Sequence, residues 1–525
     1  MSQSAAAPRG TGAFSAFTAR EPAGPLTGGK LFLAALAIGL GNFLVVLDTS
    51  IANVSVSTIS GALGVSSTQG TWVITSYAVA EAITVPLTGW LAMRFGAQRV
   101  FIACYLAFAV LSVFCGLSTS LGMLVGGRVM LGLVGGPIMP LSQLLLLRVF
   151  PPEKATQGTV LWAMTTLVGP VAGPILGGVI CDSMRWNDIF LLPAVVAAAG
   201  GLLTIFLLKG QPDPRQKASI DKVGFALLVV WVGAFQIMLD EGRNHDWFAS
   251  PEICALAVIA ALGLVAFLIW EITEKNPVVD LKIFRHRGFT ASAITFAAGF
   301  GAFFANIVIL PLWLQQNMGY TSTWAGYATG IMGVLAIASA PAVGAAVNRF
   351  DPRLIVSIGL VGLGGMTAWR MGFNQDVTFL QMAIPTLLTG PFMVMLFVPV
   401  TGIAMASVKP EEQASAAGLS NFMRTMGGAI ATSLVQTGWS DAARENQTEL
   451  AGAMTSASQT VDSFVAGGMS QDGATATLTS IVESQSVMLA TLDMFAVITV
   501  CFAFAATLIW LAPKPKGPID TSGGH

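Results

Sequence analysis

Five ionisable side chains, Asp48, Glu81, Arg128, Arg424 and Asp493, stand within or at the edge of long apolar stretches of this 525-residue chain. An ionised Asp, Lys or Arg at the centre of a membrane helix costs about 2.5–3.5 kcal/mol on insertion scales, so such residues persist chiefly where they are used. The chemistry open to them is that of a proton. A carboxyl group binds and releases one, a neighbouring arginine favours the ionised form, and desolvation opposes it. At about 1.5 Å per residue, Asp48 lies roughly 27 Å along its helix from Lys30, and Arg128 lies about 10 Å from the far end of its own, so that in a span of nearly ~40 Å their depths coincide. Asp48 is therefore the candidate proton-responsive carboxylate and Arg128 the charge that tunes it; the alternative is a static ion pair. Glu81, near mid-depth in the second helix, is a second candidate carrier. Arg424 and Asp493 are a candidate pair in the second half, with the alternative that Asp493, close to a helix end, is a snorkelling structural acid.

Such charges need a membrane around them, and the composition supplies one. Charged residues make up 10% of the chain, where soluble domains carry about 25%. The hydrophobic share is 54%, the mean hydropathy is +0.73, and there are 57 glycines, which suits helices that face lipid and pack closely on one another. A net charge of −1 leaves no surplus of Lys and Arg to neutralise phosphates, which argues against a nucleic-acid partner. Cys104, Cys115, Cys181, Cys254 and Cys501 are scattered, without metal-ligand spacing, and read as buried thiols. His245 and His286 fall in expected loops and His525 ends the chain, so no nucleophile, metal or cofactor constellation favours a membrane-embedded enzyme.

Apolar runs long enough to cross a hydrocarbon core of about 30 Å predict an all-α membrane protein of fourteen helices. Six lie near 31–54, 71–91, 100–118, 121–147, 156–180 and 188–208; two near 223–240 and 252–271; and six near 289–312, 323–347, 354–372, 377–406, 413–437 and 487–511. Residues 1–30 read as a disordered N-terminal tail and 512–525 as a C-terminal tail. Lys and Arg of short loops stay preferentially on the cytoplasmic side. With the N-terminus inside, 20 of the 26 basic residues fall on inner segments; Arg185, Arg243, Arg370 and Arg444 fall on outer ones, and Arg128 and Arg424 in the membrane. Both termini are thus expected in the cytoplasm.

Two echoes suggest related halves. Gly89, Arg94 and Phe95 recur as Gly344, Arg349 and Phe350, and Pro152-Glu153 before Gly169 recurs as Pro410-Glu411 before Gly427. The layout expected is an N-terminal six-helix half (31–208), a two-helix insertion with its loops (209–287) and a C-terminal six-helix half (288–511), a parallel repeat of the major facilitator kind. The last includes an outward-facing stretch, 438–486, whose alternating apolar residues suit short amphipathic helices and which is either a docking surface or a solvated spacer.

The sequence resembles the fourteen-helix drug/proton antiporters of the major facilitator superfamily, and within it the EmrB type. The resemblance rests on the runs 47–54, 69–77, 140–143 and 169–178 in the first half, and 320–326 and 419–425 in the second. It implies proton-coupled export of lipophilic or amphipathic compounds by alternating access, with protons rather than any cofactor as the coupling species. It also implies a bacterial inner-membrane location, and partnership with a periplasmic membrane-fusion adaptor and an outer-membrane channel. Gly169, Pro170, Gly173, Pro174, Gly177 and Gly178 look like the antiporter signature at the interface of the halves, a bendable and close-packing helix. Gly89, Arg94, Gly96 and Arg99 are similar to the superfamily's gating loop. Met93 stands where that pattern has Asp, so the two arginines lack their usual carboxylate and otherwise serve as positive-inside anchors. A non-transporting membrane receptor or assembly subunit is the competing class; it would need neither Asp48 nor the Gly-Pro helix.

The charge asymmetry makes a direct prediction. With the native cysteines removed, cysteines placed at Lys209 and Lys516 should be protected from a membrane-impermeant thiol reagent in intact cells, while one at Ser463 should react. Labelling at 516 from outside would remove the even helix count.

Overall fold

The computed structural model describes residues 26–151, 154–215, 221–275, 277–454 and 457–514. The two expected tails lie outside these residues except for their inner ends, as do Pro152 and Glu153 of the second sequence echo. The helices of the first half are α1 (Gly28–Leu63), α2 (Ser67–Gly70), α3 (Trp72–Thr84), α4 (Thr88–Phe95), α5 (Ala97–Gly116), α6 (Leu121–Val149), α7 (Ala155–Ser183) and α8 (Asp188–Leu207). The insertion forms α9 (Lys222–Glu241) and α10 (Pro251–Thr273). The second half contains α11 (Arg287–Gln316), α12 (Ser322–Gly330), α13 (Met332–Val347), α14 (Pro352–Arg370), α15 (Phe379–Ala406), α16 (Gln413–Ala453), α17 (Ala457–Ala466) and α18 (Gln471–Leu508).

Among the described residues, twelve stretches of helix are long and apolar enough to cross a membrane, against the fourteen expected. The other two expected helices are present in the bundle, and each departs for a physical reason. The one expected at 71–91 is broken into α3 and α4 at Val85–Leu87. Pro86 has no N–H to continue the ladder and its ring crowds the preceding turn; Leu87 N–H turns instead to Thr84 O at 3.1 Å and Thr88 N–H to Val85 O at 3.2 Å. The one expected at 413–437 is α16, whose Asn421 and Arg424 make it too polar to qualify by composition.

The stretch at 438–486 is helical. α16 runs on to Ala453 and α18 begins at Gln471, with α17 packed between them on α18. Each extension covers about 24 Å at helical rise, so the expected loop is a helical hairpin continuing two core helices.

Glycine seams set the helix spacing. A Cβ on Gly132 of α6 would come within 2.5 Å of Tyr77 O, and one on Gly136 within 2.3 Å of Thr84 Oγ1, so α3 lies directly on the α6 backbone. On α7, a Cβ on Gly169 would meet Val46 at 2.6 Å and one on Gly173 would meet Ser50 at 2.3 Å, which draws in α1. In the second half Gly301 and Gly427 join α11 to α16 in the same way, a Cβ on Gly427 falling 2.4 Å from Ala297 O. Lipid is as apolar as the helix surface, so close backbone approach supplies van der Waals contact where no hydrophobic drive operates.

The inserted pair bridges both halves. Trp231 of α9 packs edge-on against Phe422 of α16 with ring centroids 6.0 Å apart, and Leu239 O accepts from Ser433 Oγ at 2.8 Å, while the opposite side of α9 lies along α3.

Gly132→Ala should lower the thermal unfolding midpoint of the detergent-purified protein, because its methyl group meets backbone that cannot yield; overpacking of this kind costs roughly 1–3 kcal/mol. Gly365→Ala on α14 meets nothing within 4 Å and should leave the midpoint unchanged or raise it, helix propensity favouring Ala by about 1 kcal/mol.

Candidate functional site

α1 carries Asp48 and α6 carries Arg128 to one point. Arg128 Nη1 donates to Asp48 Oδ2 at 2.5 Å, with the arginine fully buried and the aspartate 2% exposed. Arg128 Nε donates to Val73 O of α3 at 2.9 Å, and the guanidinium stands 4.3 Å from the Tyr77 ring centroid and 5.7 Å from that of Phe190. Carboxylate, carbonyl and ring faces all present negative charge to the cation, leaving Nη2 as its one buried nitrogen without a partner. The depth match inferred from helix rise is thus a direct ion pair.

Glu81 of α3 lies close by, nearly buried, and its carboxylate forms neither a hydrogen bond nor an ion pair among the described residues. The charges that act on it are Arg424 most strongly, then Asp48 and Arg128. Arg424 belongs to α16, so the acid of one half faces the base of the other. Arg424 is buried, contacts Met139 Sδ of α6 through Nη2, and stands 4.6 Å from the Phe300 ring centroid. The pairing of Arg424 with Asp493 is not formed: Asp493 is exposed on α18 and makes no ion pair among the described residues. Spacing within one half cannot reveal a partner supplied by the other.

One turn along α16, Asn421 Nδ2 donates to Gln143 Oε1 of α6 at 2.8 Å, both residues buried. The motifs at 140–143 and 419–425 therefore touch across the interface. At the same end of the bundle, a Cβ on Gly89 of α4 would lie 2.4 Å from Ser415 Oγ of α16, and Thr156 Oγ1 donates to Asn348 Oδ1 at 3.3 Å. The two halves are closed against each other on the side that carries Arg94, Arg99 and Lys409.

On α7, Gly169 and Gly173 face α1 within the first half, whereas Gly178 faces Thr323 of α12, with a Cβ there 3.2 Å from Thr323 Oγ1. Pro170 is buried, Gly177 makes only ordinary contact with Ile51, and the side chain of Pro174 lies outside the described residues. The helix thus holds Asp48 in place on one side and meets the other half on its next.

The gating loop finds an acid that its own motif lacks. Asp213, from the linker after α8, accepts from Gln98 N–H at 3.2 Å and Arg99 N–H at 3.4 Å, at the positive N-terminal end of α5. Gly96 has φ +93°, and a Cβ there would fall 2.1 Å from Asp213 Oδ2, so both backbone and space require glycine. The Arg94 and Arg99 side chains are exposed, as charge anchors would be. Further along this end, Glu412 accepts from Arg285 Nη2 at 2.7 Å and lies 3.0 Å from His286 Nε2. Although partial burial works against it, the Lys409 N–H and these two neighbours hold its carboxyl below the usual value.

Arg370 corrects the charge inventory. It was expected in an outer loop, yet its side chain is buried: Nη1 donates to Asn306 Oδ1 at 2.6 Å and Nη2 to Thr386 Oγ1 at 3.0 Å. As the last residue of α14 it looks terminal in sequence, and no local pattern shows that the chain folds back over it.

The Major Facilitator Superfamily model matches residues 38–432. Over 507 residues, covering 95% of this chain and 99% of the relative, the sequence is 39% identical to the multidrug export protein EmrB of Escherichia coli (strain K12). The EmrB of Haemophilus influenzae is 39% identical over 498 residues, 94% of this chain and 98% of the relative. The chain belongs to the Major Facilitator Superfamily, in the group of EmrB multidrug export proteins. Its fold is also that of solved members: the human organic anion transporter MFSD10 superposes with a TM-score of 0.58 at 13% identity, covering 92% of this chain and 100% of that one.

Breaking the buried pair from one side should be costly. Arg128→Met leaves Asp48 charged and unpaired in the bundle, an error worth roughly 3–5 kcal/mol, and should sharply lower the unfolding midpoint and the yield of folded protein. Adding Asp48→Asn to Arg128→Met should recover part of that loss, and no recovery would show that the arginine acts through packing alone.

Proposed function

We propose that this protein is a proton-coupled exporter of lipophilic and amphipathic compounds that works by alternating access between its two halves. Membership among the EmrB export proteins supports the transport reading, and the observation that carries the coupling is the run of charges Arg128, Asp48, Glu81 and Arg424. It sets two acids between two bases and crosses from the first half to the second. Protonation of either acid changes how strongly the halves attract, and so changes the relative free energies of the states in which they are closed or apart. Asp48 is the residue to which we assign the coupling proton, with Arg128 as its counter-charge. Glu81, without a direct side-chain partner among the described residues, senses the opposite half.

The broken α3–α4 and the polar α16 are read with the twelve apolar stretches as fourteen crossings, both termini in the cytoplasm and the α16–α18 hairpin on the outer side. That hairpin, with Val465, Met469 and Ile481 exposed, is a surface for a periplasmic adaptor of the membrane-fusion type, which would pass substrate to an outer-membrane channel. The cell location that follows is the bacterial inner membrane.

Reconstituted vesicles with an imposed proton gradient test the coupling. Asp48→Asn should lose uphill, gradient-driven efflux while keeping substrate binding and downhill exchange, and Asp48→Glu should retain partial activity. Wild-type uphill rates in a well-folded Asp48→Asn protein would move the proton to Glu81, where Glu81→Gln should then abolish them.

A further inference from the structure

The second half holds a buried positive charge that nothing in the coupling scheme uses. Arg370 is 3% exposed, and unlike Arg128 it has no carboxylate. Its two hydrogen-bond acceptors, Asn306 and Thr386, are neutral, its Nε is buried without a partner, and it forms no ion pair among the described residues. Buried charges are ordinarily paired or ligated, because an isolated one forfeits its hydration for nothing. Two neutral acceptors align the guanidinium, but glutamine would satisfy both at no electrostatic cost. Snorkelling does not relieve the charge either. The chain folds back over it, with Phe373 and Val377 buried, and Gln375 is fastened to α18 by Ser484 at 2.7 Å and Gln485 at 3.0 Å.

Arg370 borders a cavity of about 20 Å³, room for about one water-sized group. Thr329, Thr367, Thr386 and Thr389 line its polar side and residues such as Phe303 and Met332 its apolar side. Asn306 is set there by its own bond, Nδ2 donating to Thr367 Oγ1 at 2.7 Å. We propose that this cavity, between α11, α14 and α15, is a binding site for one compact monovalent anion, either a free halide or the carboxylate of an amphipathic acid. The unpartnered Nε and the adjoining Nη2 form the edge that takes a carboxylate in two parallel hydrogen bonds, and a halide satisfies the same edge singly. The threonine hydroxyls, each donating to a carbonyl of its own helix, border the site without serving it as donors, and the small volume excludes bulky anions. The site lies apart from Asp48 and Glu81, so it stands independently of the proton assignment.

The test is the unfolding midpoint of the full chain in detergent at constant ionic strength. Sodium gluconate, whose hydroxylated chain cannot lie along the apolar side of the cavity, is the reference, and chloride, bromide, acetate and hexanoate are the probes. Wild-type protein should gain a few degrees, saturably, with a compact anion. A response to halides alone assigns the free ion; a response rising from acetate to hexanoate assigns the head of an amphipathic acid. Arg370→Gln should lose the response. Asn306→Asp, nearly the same shape, places a carboxylate on Arg370 from within; it should fold at least as stably in gluconate and also lose the response. No gain in wild-type protein with any compact anion, or the same gain in Asn306→Asp, would overturn the site.

Discussion

A charge carried into hydrocarbon must take its compensation with it, and in this protein that requirement fixes the register of the first half. Arg128 is satisfied only if α1 brings Asp48 to it, α3 brings the Val73 carbonyl and the Tyr77 ring, and α8 brings Phe190. Each comes from a different helix. A helix displaced by one turn would strand the cation or the acid in a medium where neither can be hydrated. The glycine seams serve this geometry. Gly132 and Gly136 let α3 lie on α6, and Gly169 and Gly173 let α7 press on α1, close to Asp48.

The contacts between the halves have a different character. Asn421 with Gln143 and Arg424 with Met139 are single polar contacts, and Arg424 attracts Glu81 without touching it, whereas Asp48 and Arg128 form a direct buried ion pair. A hydrogen bond between neutral groups contributes about 1 kcal/mol net, so these contacts can be exchanged without unfolding either half. Strong compensation inside the first half and modest compensation between the halves is the balance that relative movement requires. The inserted α9–α10 pair, touching α3 on one side and α16 on the other, is placed to follow or restrain that movement.

Much of this was legible in the sequence. Hydropathy marks most of the spans because a helix must hide its backbone from lipid and needs a set length to do so. Asp48 and Arg128 stand out because charge is rare there, and helix rise puts them at one depth. The broken helix at Pro86 and the polar α16 escape a hydropathy rule because one is short in each piece and the other is shielded from lipid by its neighbours. The stretch at 438–486 reads as a loop because its residues are polar, yet polar helices continuing from anchored ones are already nucleated and extend at little further cost.

What the sequence determined by itself was everything set by one residue and its solvent: membrane immersion, the approximate spans, the presence of costly charges, and the small residues that permit close approach. What only the tertiary structure decided was partnership. Asp213 reaches the gating loop from more than a hundred positions beyond Met93 and takes backbone N–H groups of Gln98 and Arg99, not the arginine side chains. Arg424 looks to Glu81 rather than Asp493, and Arg370, apparently terminal, is enclosed with no counter-charge. The physical reason is the same in each case. The cost of a buried charge is local and can be read from its own position, whereas its compensation is supplied by whichever helices the fold brings alongside.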